Sequence, residues 1–480
     1  IRNGQNMQEI GTMTTKRYTY RHIVRLTVEA ETPLAVGMGK GSDILTDAPV
    51  AKDINGLPYI PATSIAGVLR HAMGFANDKT EGNPFGYLGK SDDNDDSGHG
   101  SDIIFTDAVM VGKDGKALDG IQDIDWNDKF YQPFQDLPIR QHVRINDKGT
   151  AENGGKFDNE VVYKGTRFVF EIELMSDKDD KGSANKHITD AINRLRDCTL
   201  RIGGGTRKGY GKLKIIKCLQ APFDLSTSEG LEKYLKKSSS LAEDLVGFTE
   251  ISEIGSLDDS KWTHYKLILS PVDFFMFGSG MGDSDADNVY ASEPVINWSG
   301  IDGTPSFDGN RRVLIPGSSV KGAIAHRTAY HYNKIKKRFA GKQDPEEITG
   351  SKNEAVAEIF GKADGDNFTR GHLLIDDVLK GQAQAKTFFH NKIDQFTGGT
   401  MDGALFQEKV IYGKGNEYTL DIYVEDSALN DEDVKDAFEQ SLRDICKGLL
   451  PLGGITNRGN GIFTGTVTKN HEPLWEEQKK

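Results

Sequence analysis

Cysteine is scarce in this chain: three thiols, Cys198, Cys218 and Cys446, serve 480 residues, and no CxxC pair occurs. That excludes a disulfide framework and a cysteine-built zinc site, and a reduced, cytoplasmic setting is expected. No apolar run approaches the length of a membrane span, and nothing ahead of Arg17 has the build of a signal peptide. No membrane partner is expected. Net positive charge is missing too, because 59 Lys and Arg against 72 Asp and Glu leave −13. That balance argues against nucleic acid until the charges are placed along the chain. The glycine-rich run GGGTRKGYG is closed by no GKS or GKT and so is not a Walker loop, and no GGDD marks a polymerase palm.

Placing the charges changes the picture. Much of the acid lies in SDDNDDSGHGSD from Ser91 and DGIQDIDWND from Asp119, runs that read as solvated loops. Around the run GGGTRKGYG the sign reverses, with Arg194, Arg196, Arg201, Arg207, Lys208, Lys212, Lys214 and Lys217 close together. An acidic chain with one basic face suits a subunit that touches a phosphate backbone on one side and protein on the others.

The chain also repeats itself. GGGTRKGYG from Gly203 returns as GGITNRGNG from Gly453, and IPATSIAGVLRH from Ile60 returns as IPGSSVKGAIAH from Ile315. HVRIN from His142 returns as HNKID from His390, and FDNEVVY from Phe157 as FQEKVIY from Phe406. Four blocks in the same order at nearly constant displacement mean a duplicated module. The expected division is an N-terminal extension or remnant over 1–20, a first module over 21–222, a partly helical linker over 223–262 and a second module over 263–480.

Each module opens on an alternating strand (RHIVRLTVEA, HYKLIL) and runs into a glycine-bearing loop, GMGKG from Gly37 or GSGMG from Gly278. An I-P turn follows, then apolar residues at helical spacing behind Thr63-Ser64 or Ser318-Ser319, whose hydroxyls read as helix N-caps. Later segments continue as strands, a helix, the glycine loop and a last strand. This order predicts an α+β, ferredoxin-like (RRM-like) sheet in each module, with large insertions. In the glycine loops Gly204, Thr206, Arg207 and Lys208, and then Thr456, Asn457 and Arg458, place backbone amides and cations where an anion can bind. A structural turn is the competing reading.

The intact IPGSSVKG start, the paired Phe-Gly dipeptides at Phe85 and Phe360, the terminal glycine loop and the block HNKID…GGTMDGALFQE over 390–408 together resemble the RAMP superfamily of CRISPR-associated proteins. More narrowly, they resemble the backbone subunits of type III RNA-guided effector complexes. The resemblance implies two tandem modules with thumb-type insertions that lie along a CRISPR RNA guide beside other RAMP subunits. It also implies a loop aspartate that cleaves target RNA with a divalent metal, Mg²⁺ by preference. In LTDAPVAKDINGLPYIP that role falls on Asp47, two residues before Pro49, as catalyst and metal ligand. Its bland alternative is a turn-capping carboxylate.

The second copy departs from the pattern, since Ser292 stands two before Pro294 with Glu293 beside it. The acidic loop GDSDAD offers Asp283, Asp285 and Asp287 as well, and active, rebuilt and dead readings of this site all stay open. RNA contact is expected from Lys40, Ser64, Arg70, His142 and Arg144 in the first module, and from Ser318, Ser319, Lys321, Arg327, His390 and Lys392 in the second. Phe388, Phe389 and Phe396 are stacking candidates with packing as the default. Competing functions are a non-catalytic RNA scaffold and a RAMP endoribonuclease that processes the guide precursor.

Overall fold

In the computed structural model, residues 18–39, 46–80, 82–88, 98–146, 149–251, 261–307, 309–339, 341–364, 367–381 and 384–475 are described. The first module is built on Tyr20–Ala30, whose buried face sets Val24, Leu26 and Val28 against the core. This strand pairs antiparallel with Arg167–Ser176 on one side and Leu213–Asp224 on the other, and Ile103–Phe105 adds an edge beyond Arg167–Ser176. Helices Ala62–Ala72 and Lys181–Arg196 supply Ile65, Leu69, Ile188, Ile192 and Leu195 to the same cluster. The second module repeats the plan. Trp262–Pro271 lies between Tyr418–Glu425 and Phe463–Lys469, Leu373–Ile375 forms the edge, and Gly317–Ile335 and Glu432–Cys446 cover it.

Both modules therefore have the βαββαβ order and the antiparallel strand arrangement of a ferredoxin-like sheet. Each core holds several fully buried Leu, Ile and Phe side chains, worth about 1.5–3 kcal/mol apiece against exposure. Each sheet also carries a projecting hairpin between its third strand and the preceding edge. Ile139–Ile145 pairs with Ala151–Glu160 in the first module, and Gln384–His390 with Phe406–Tyr412 in the second. The segment after Asp224 contains helix Ser228–Lys236 and folds back over the first sheet, where Tyr234 packs on Phe223 and Arg25 donates to the carbonyls of Ser240 and Glu243.

The helix caps differ from expectation. Ala62–Ala72 and Gly317–Ile335 begin directly after Pro61 and Pro316, and no hydroxyl caps either one. The first amides are taken instead by carboxylates from the edge strands: Ala62 N–H donates to Asp107 (2.7 Å) and Gly317 N–H to Asp377 (2.7 Å). A carboxylate from a distant strand serves the helix start better than a local hydroxyl, because it adds charge complementary to the N-terminal dipole. The glycine loops also have a packing reason. Gly203 and Gly453 sit at φ of 91° and 93°, and a Cβ there would run into the carbonyls of Ala35 and Met276 respectively.

Candidate RNA interface and cleavage sites

The two modules meet across a charged joint. Arg140, on the first hairpin, reaches Glu293 with Nε and Nη2 (2.5 and 2.7 Å) and Asp377 with Nη1. Arg201 pairs with Asp376 at 2.6 Å, Lys212 reaches the same carboxylate at 3.1 Å, and Arg207 donates to the carbonyl of Gly371. Further along, Trp298 Nε1 donates to the Gly165 carbonyl (2.7 Å) and the Arg167 guanidinium lies 4.1 Å over the Trp298 ring. One guanidinium cannot neutralise two buried carboxylates. Burial pushes Asp377 up to about 6, although Arg140 and the Gly317 amide pull the other way. A carboxyl raised in the folded state adds stability below its ordinary pKa and loses it as pH rises through the folded value. The joint is therefore expected to tighten between pH 7 and pH 5 in thermal unfolding, a trend that Asp377→Asn should flatten.

At the heart of this joint lie three cations of the RNA-binding set. Arg207 and Lys208, in the 3₁₀ turn Thr206–Lys208 of the first glycine loop, come up to Lys321 in the first turns of Gly317–Ile335. No ion-pair partner for any of the three occurs among the described residues; Lys208 has only the Asn159 amide oxygen (3.3 Å) and the Phe157 ring (4.2 Å). Burial first, then Arg207 and Lys208, bring Lys321 down to about 8. Beside them a cleft of about 670 Å³ between the modules is lined by Arg194, Arg201, Arg207, Lys261 and Arg370, with Asp197, Glu425 and Asp426 also on its walls.

The other expected RNA contacts fall into two groups. Ser64, Ser318 and Ser319 lie at helix starts, and Gly204, Thr206, Thr456 and Asn457 lie in the glycine loops as anticipated, while Lys392 is exposed near the tip of the second hairpin. Several others already have protein partners. Arg327 pairs with Asp444, Arg458 with Glu408 (2.8 Å), Arg144 loosely with Glu152 (3.4 Å), and Arg70 donates to the Phe75 carbonyl (3.3 Å). His142 stacks on Phe157 at 4.9 Å, faces the Tyr210 hydroxyl at 3.0 Å and is held near pKa 4 by burial, Lys208 and Arg140, so it is neutral at pH 7. His390 repeats the stack on Phe406 (4.9 Å) and pairs with Glu408 (3.0 Å). Lys40 lies outside the described residues.

Asp47 is exposed on a loop clasped to the first hairpin. Its Oδ2 accepts the Asp158 N–H (3.1 Å), while Asp158 Oδ1 accepts the Asp47 N–H (2.9 Å) and the Thr46 hydroxyl (2.7 Å). The Asp47 amide, ahead of the Thr46 hydroxyl, holds the Asp158 carboxyl below its ordinary value. The second module repeats this clasp with Asp287, whose Oδ2 accepts the N–H of Gln407, the residue that stands where Asp158 stands (2.8 Å). Loop pairing gives the same register, since Ala51 N–H bonds to Val36 O and Ala291 N–H to Phe277 O, a displacement of 291 − 51 = 240, as is 287 − 47.

Asp287 is thus the counterpart of Asp47, and the proline register that singled out Ser292 and Glu293 is off by a loop-length difference. Glu293 must be reassigned: it is 4% exposed and committed to Arg140. Asp283 caps its own turn through the amides of Asp285 and Ala286, and it and Asp285 share Lys409 at 3.0 and 3.5 Å. No group of three or more potential metal ligands occurs among the described residues. Asp47 with Asp158 nonetheless fits Mg²⁺, which commonly keeps several waters and takes one or two carboxylates plus substrate phosphate.

Two ferredoxin-like modules are joined head to tail, with a clasped aspartate loop in each and, at the joint, three cations that have no ion-pair partner among the described residues. The family model described as RAMP superfamily matches residues 27–214 and again 276–464. The chain belongs to the RAMP superfamily, whose members have CRISPR-associated RNA-binding roles. No curated protein matches it. Among the described residues no helix is long and apolar enough to cross a membrane.

Proposed function

We propose that the chain is a double backbone unit of a type III CRISPR ribonucleoprotein, lying along the guide RNA beside other RAMP subunits and cutting target RNA with Mg²⁺ through Asp47 and Asp287. The observation that carries the RNA reading is the convergence of Arg207, Lys208 and Lys321 from two modules without an ion-pair partner among the described residues. Holding three like charges together in a half-buried site is unfavourable in the free protein, and a phosphate placed among them relieves that repulsion.

The expected consequence has two signs. Lys321→Met should stabilise the RNA-free chain, because it removes a charge whose folded pKa lies below the ordinary lysine value. The same substitution should weaken guide-RNA binding by about ten- to a hundredfold, the worth of a charged hydrogen bond. It should also lower the slope of log affinity against log salt by about 0.7, one phosphate on a single strand. Filter binding across a salt series checks this; an unchanged slope would remove Lys321 from the RNA path.

For cleavage, Asp47 offers an exposed carboxylate with Oδ1 uncommitted among the described residues, beside a second carboxylate kept ionised by amide donors. Bound Mg²⁺ would stabilise charge developing on the scissile phosphate. Asp47 and Asp158 would hold it, and the clasp fixes Asp47 on the hairpin so that its carboxylate cannot swing away. In the second module Gln407 and Lys409 replace Asp158 and Glu160, so a weaker hold on metal is expected at Asp287.

A further inference from the structure

Because the chain holds two copies of one module, each copy shows what the other has changed. The glycine loop meets the hairpin in the same way in both. In the first module His142 stacks on Phe157 at 4.9 Å, and the Lys208 ammonium lies 4.2 Å over that ring. In the second, His390 stacks on Phe406 at 4.9 Å, and the Arg458 guanidinium lies 4.8 Å over it. His142 faces Phe157 across one hairpin and His390 faces Phe406 across the other, so Asn159 and Glu408 occupy one position, two residues further on. Lys208 and Arg458 match in turn, at the displacement 458 − 208 = 250 that also relates Gly203 to Gly453.

What differs is the charge at that position. Asn159 offers Lys208 an amide oxygen at 3.3 Å, which accepts a hydrogen bond without cancelling the charge. Arg140 and Asp158 also act on this corner, through His142, but Arg140 is committed to Glu293 and Asp377, and Asp158 to the Asp47 clasp. Burial brings the Lys208 ammonium below its ordinary value, so the first seat holds a poorly hydrated cation with no counter-ion among the described residues. In the second copy the counter-ion is supplied from within. Glu408 reaches one methylene further than an asparagine and meets both Arg458 Nη1 (2.8 Å) and His390 Nε2 (3.0 Å). Its side chain is 5% exposed against 39% for Arg458, so the carboxylate lies beneath the guanidinium rather than in solvent. Carboxylate and phosphate present a guanidinium with the same pair of anionic oxygens, so one can take the place of the other.

We infer that Glu408 is a built-in substitute for phosphate: it closes the anion seat of the second glycine loop, while the first loop, with Asn159 in that place, stays open to an RNA phosphate. The chain thus grips RNA through the cation of one loop, and Glu408 makes that choice. This rests on the reading of the chain as an RNA-binding unit.

The test measures binding of single-stranded RNA by the full chain across a salt series. Glu408→Gln keeps the shape and an acceptor for Arg458 but removes the charge. It should raise affinity about tenfold, the scale of one charged hydrogen bond. It should also steepen the slope of log affinity against log salt by about 0.7, one added phosphate. Adding Arg458→Met should abolish the gain. The same loss of charge at Glu432, an exposed residue that pairs with Lys435 on helix Glu432–Cys446, should leave the slope unchanged. The converse graft, Asn159→Glu, should close the first seat and flatten the slope by a similar amount, whereas Asn159→Gln should not. If Glu408→Gln and Asn159→Glu both bind with the parent's slope while Lys208→Met flattens it, RNA is held at the first loop but Glu408 does not gate the second, and the inference falls. A gain that survives Arg458→Met, or that Glu432→Gln reproduces, reflects net charge alone and also overturns it. Unchanged slopes in both Lys208→Met and Lys321→Met would sink the RNA reading itself, and this inference with it.

Discussion

Arg140→Ala is expected to cost about 3–5 kcal/mol of stability, because it leaves two buried carboxylates without their cation. Glu293 and Asp377 side chains are 6% and 0% exposed, so water cannot take over from the guanidinium without opening the joint. The Tyr210 ring, 5.1 Å from that guanidinium, loses a cation–π partner as well. Each module keeps its own core, so the loss should appear as separation of the modules before either unfolds: new proteolytic sites in the joint, and a split thermal transition. The deficit should shrink as pH falls. Without Arg140 the Asp377 carboxyl rises further above its ordinary value, and protonation then removes the buried charge that drives the opening. A neutral pair is a second check, since Arg140→Met with Glu293→Gln and Asp377→Asn should recover most of the loss. If Arg140→Ala melts like the parent at pH 8, the joint is not held by this triad.

Much of the fold was legible in the sequence, and for a physical reason: a duplicated chain lets each half check the other. Alternating strands such as RHIVRLTVEA and the helical spacing of Val320 and Ile324 are local signals, and local pairing preserves them. The helix caps were misread because a carboxylate sixty residues later in sequence, Asp377 behind Gly317, outcompetes the hydroxyl next door. The joint was invisible for the same kind of reason. Arg140 and Glu293 are 153 residues apart, and nothing in the local pattern of LPIRQHVRIN marks its arginine as an interface cation. The doubled acid in LLIDDVLK, set against TDAV in the first copy, was the one available signal. Asp287 was within the acidic loop offered by the sequence, but a one-residue choice needed the backbone clasp to Gln407, which spacing relative to proline could not supply.

The same clasp shapes the sharpest test of chemistry. Asp47→Asn keeps an oxygen to accept the Asp158 amide, so the loop stays docked, while the charge that would hold metal is lost. Target cleavage at the position served by the first module is expected to fall by about 10²- to 10⁴-fold, the usual scale for losing one positioned catalytic group. Guide binding and assembly should be unchanged, because the cation cluster at Arg207, Lys208 and Lys321 does not involve this loop. Asp287→Asn should remove the other product, and the double variant should leave RNA bound and uncut. At limiting Mg²⁺ the second cut should disappear first, since Gln407 offers no charge where Asp158 does. Urea gels of a labelled target across a metal titration read all of these at once. Both products persisting in Asp47→Asn would leave the aspartate as a turn residue only. Absence of any cut in the parent with Mg²⁺ would favour a pure scaffold, and cutting of a guide precursor in EDTA would favour the processing nuclease. Glu293→Gln separates the two copies' loops from the joint: it should weaken the module contact through Arg140 and leave the cleavage pattern intact, because Glu293 is spent on holding the modules together rather than on the phosphate.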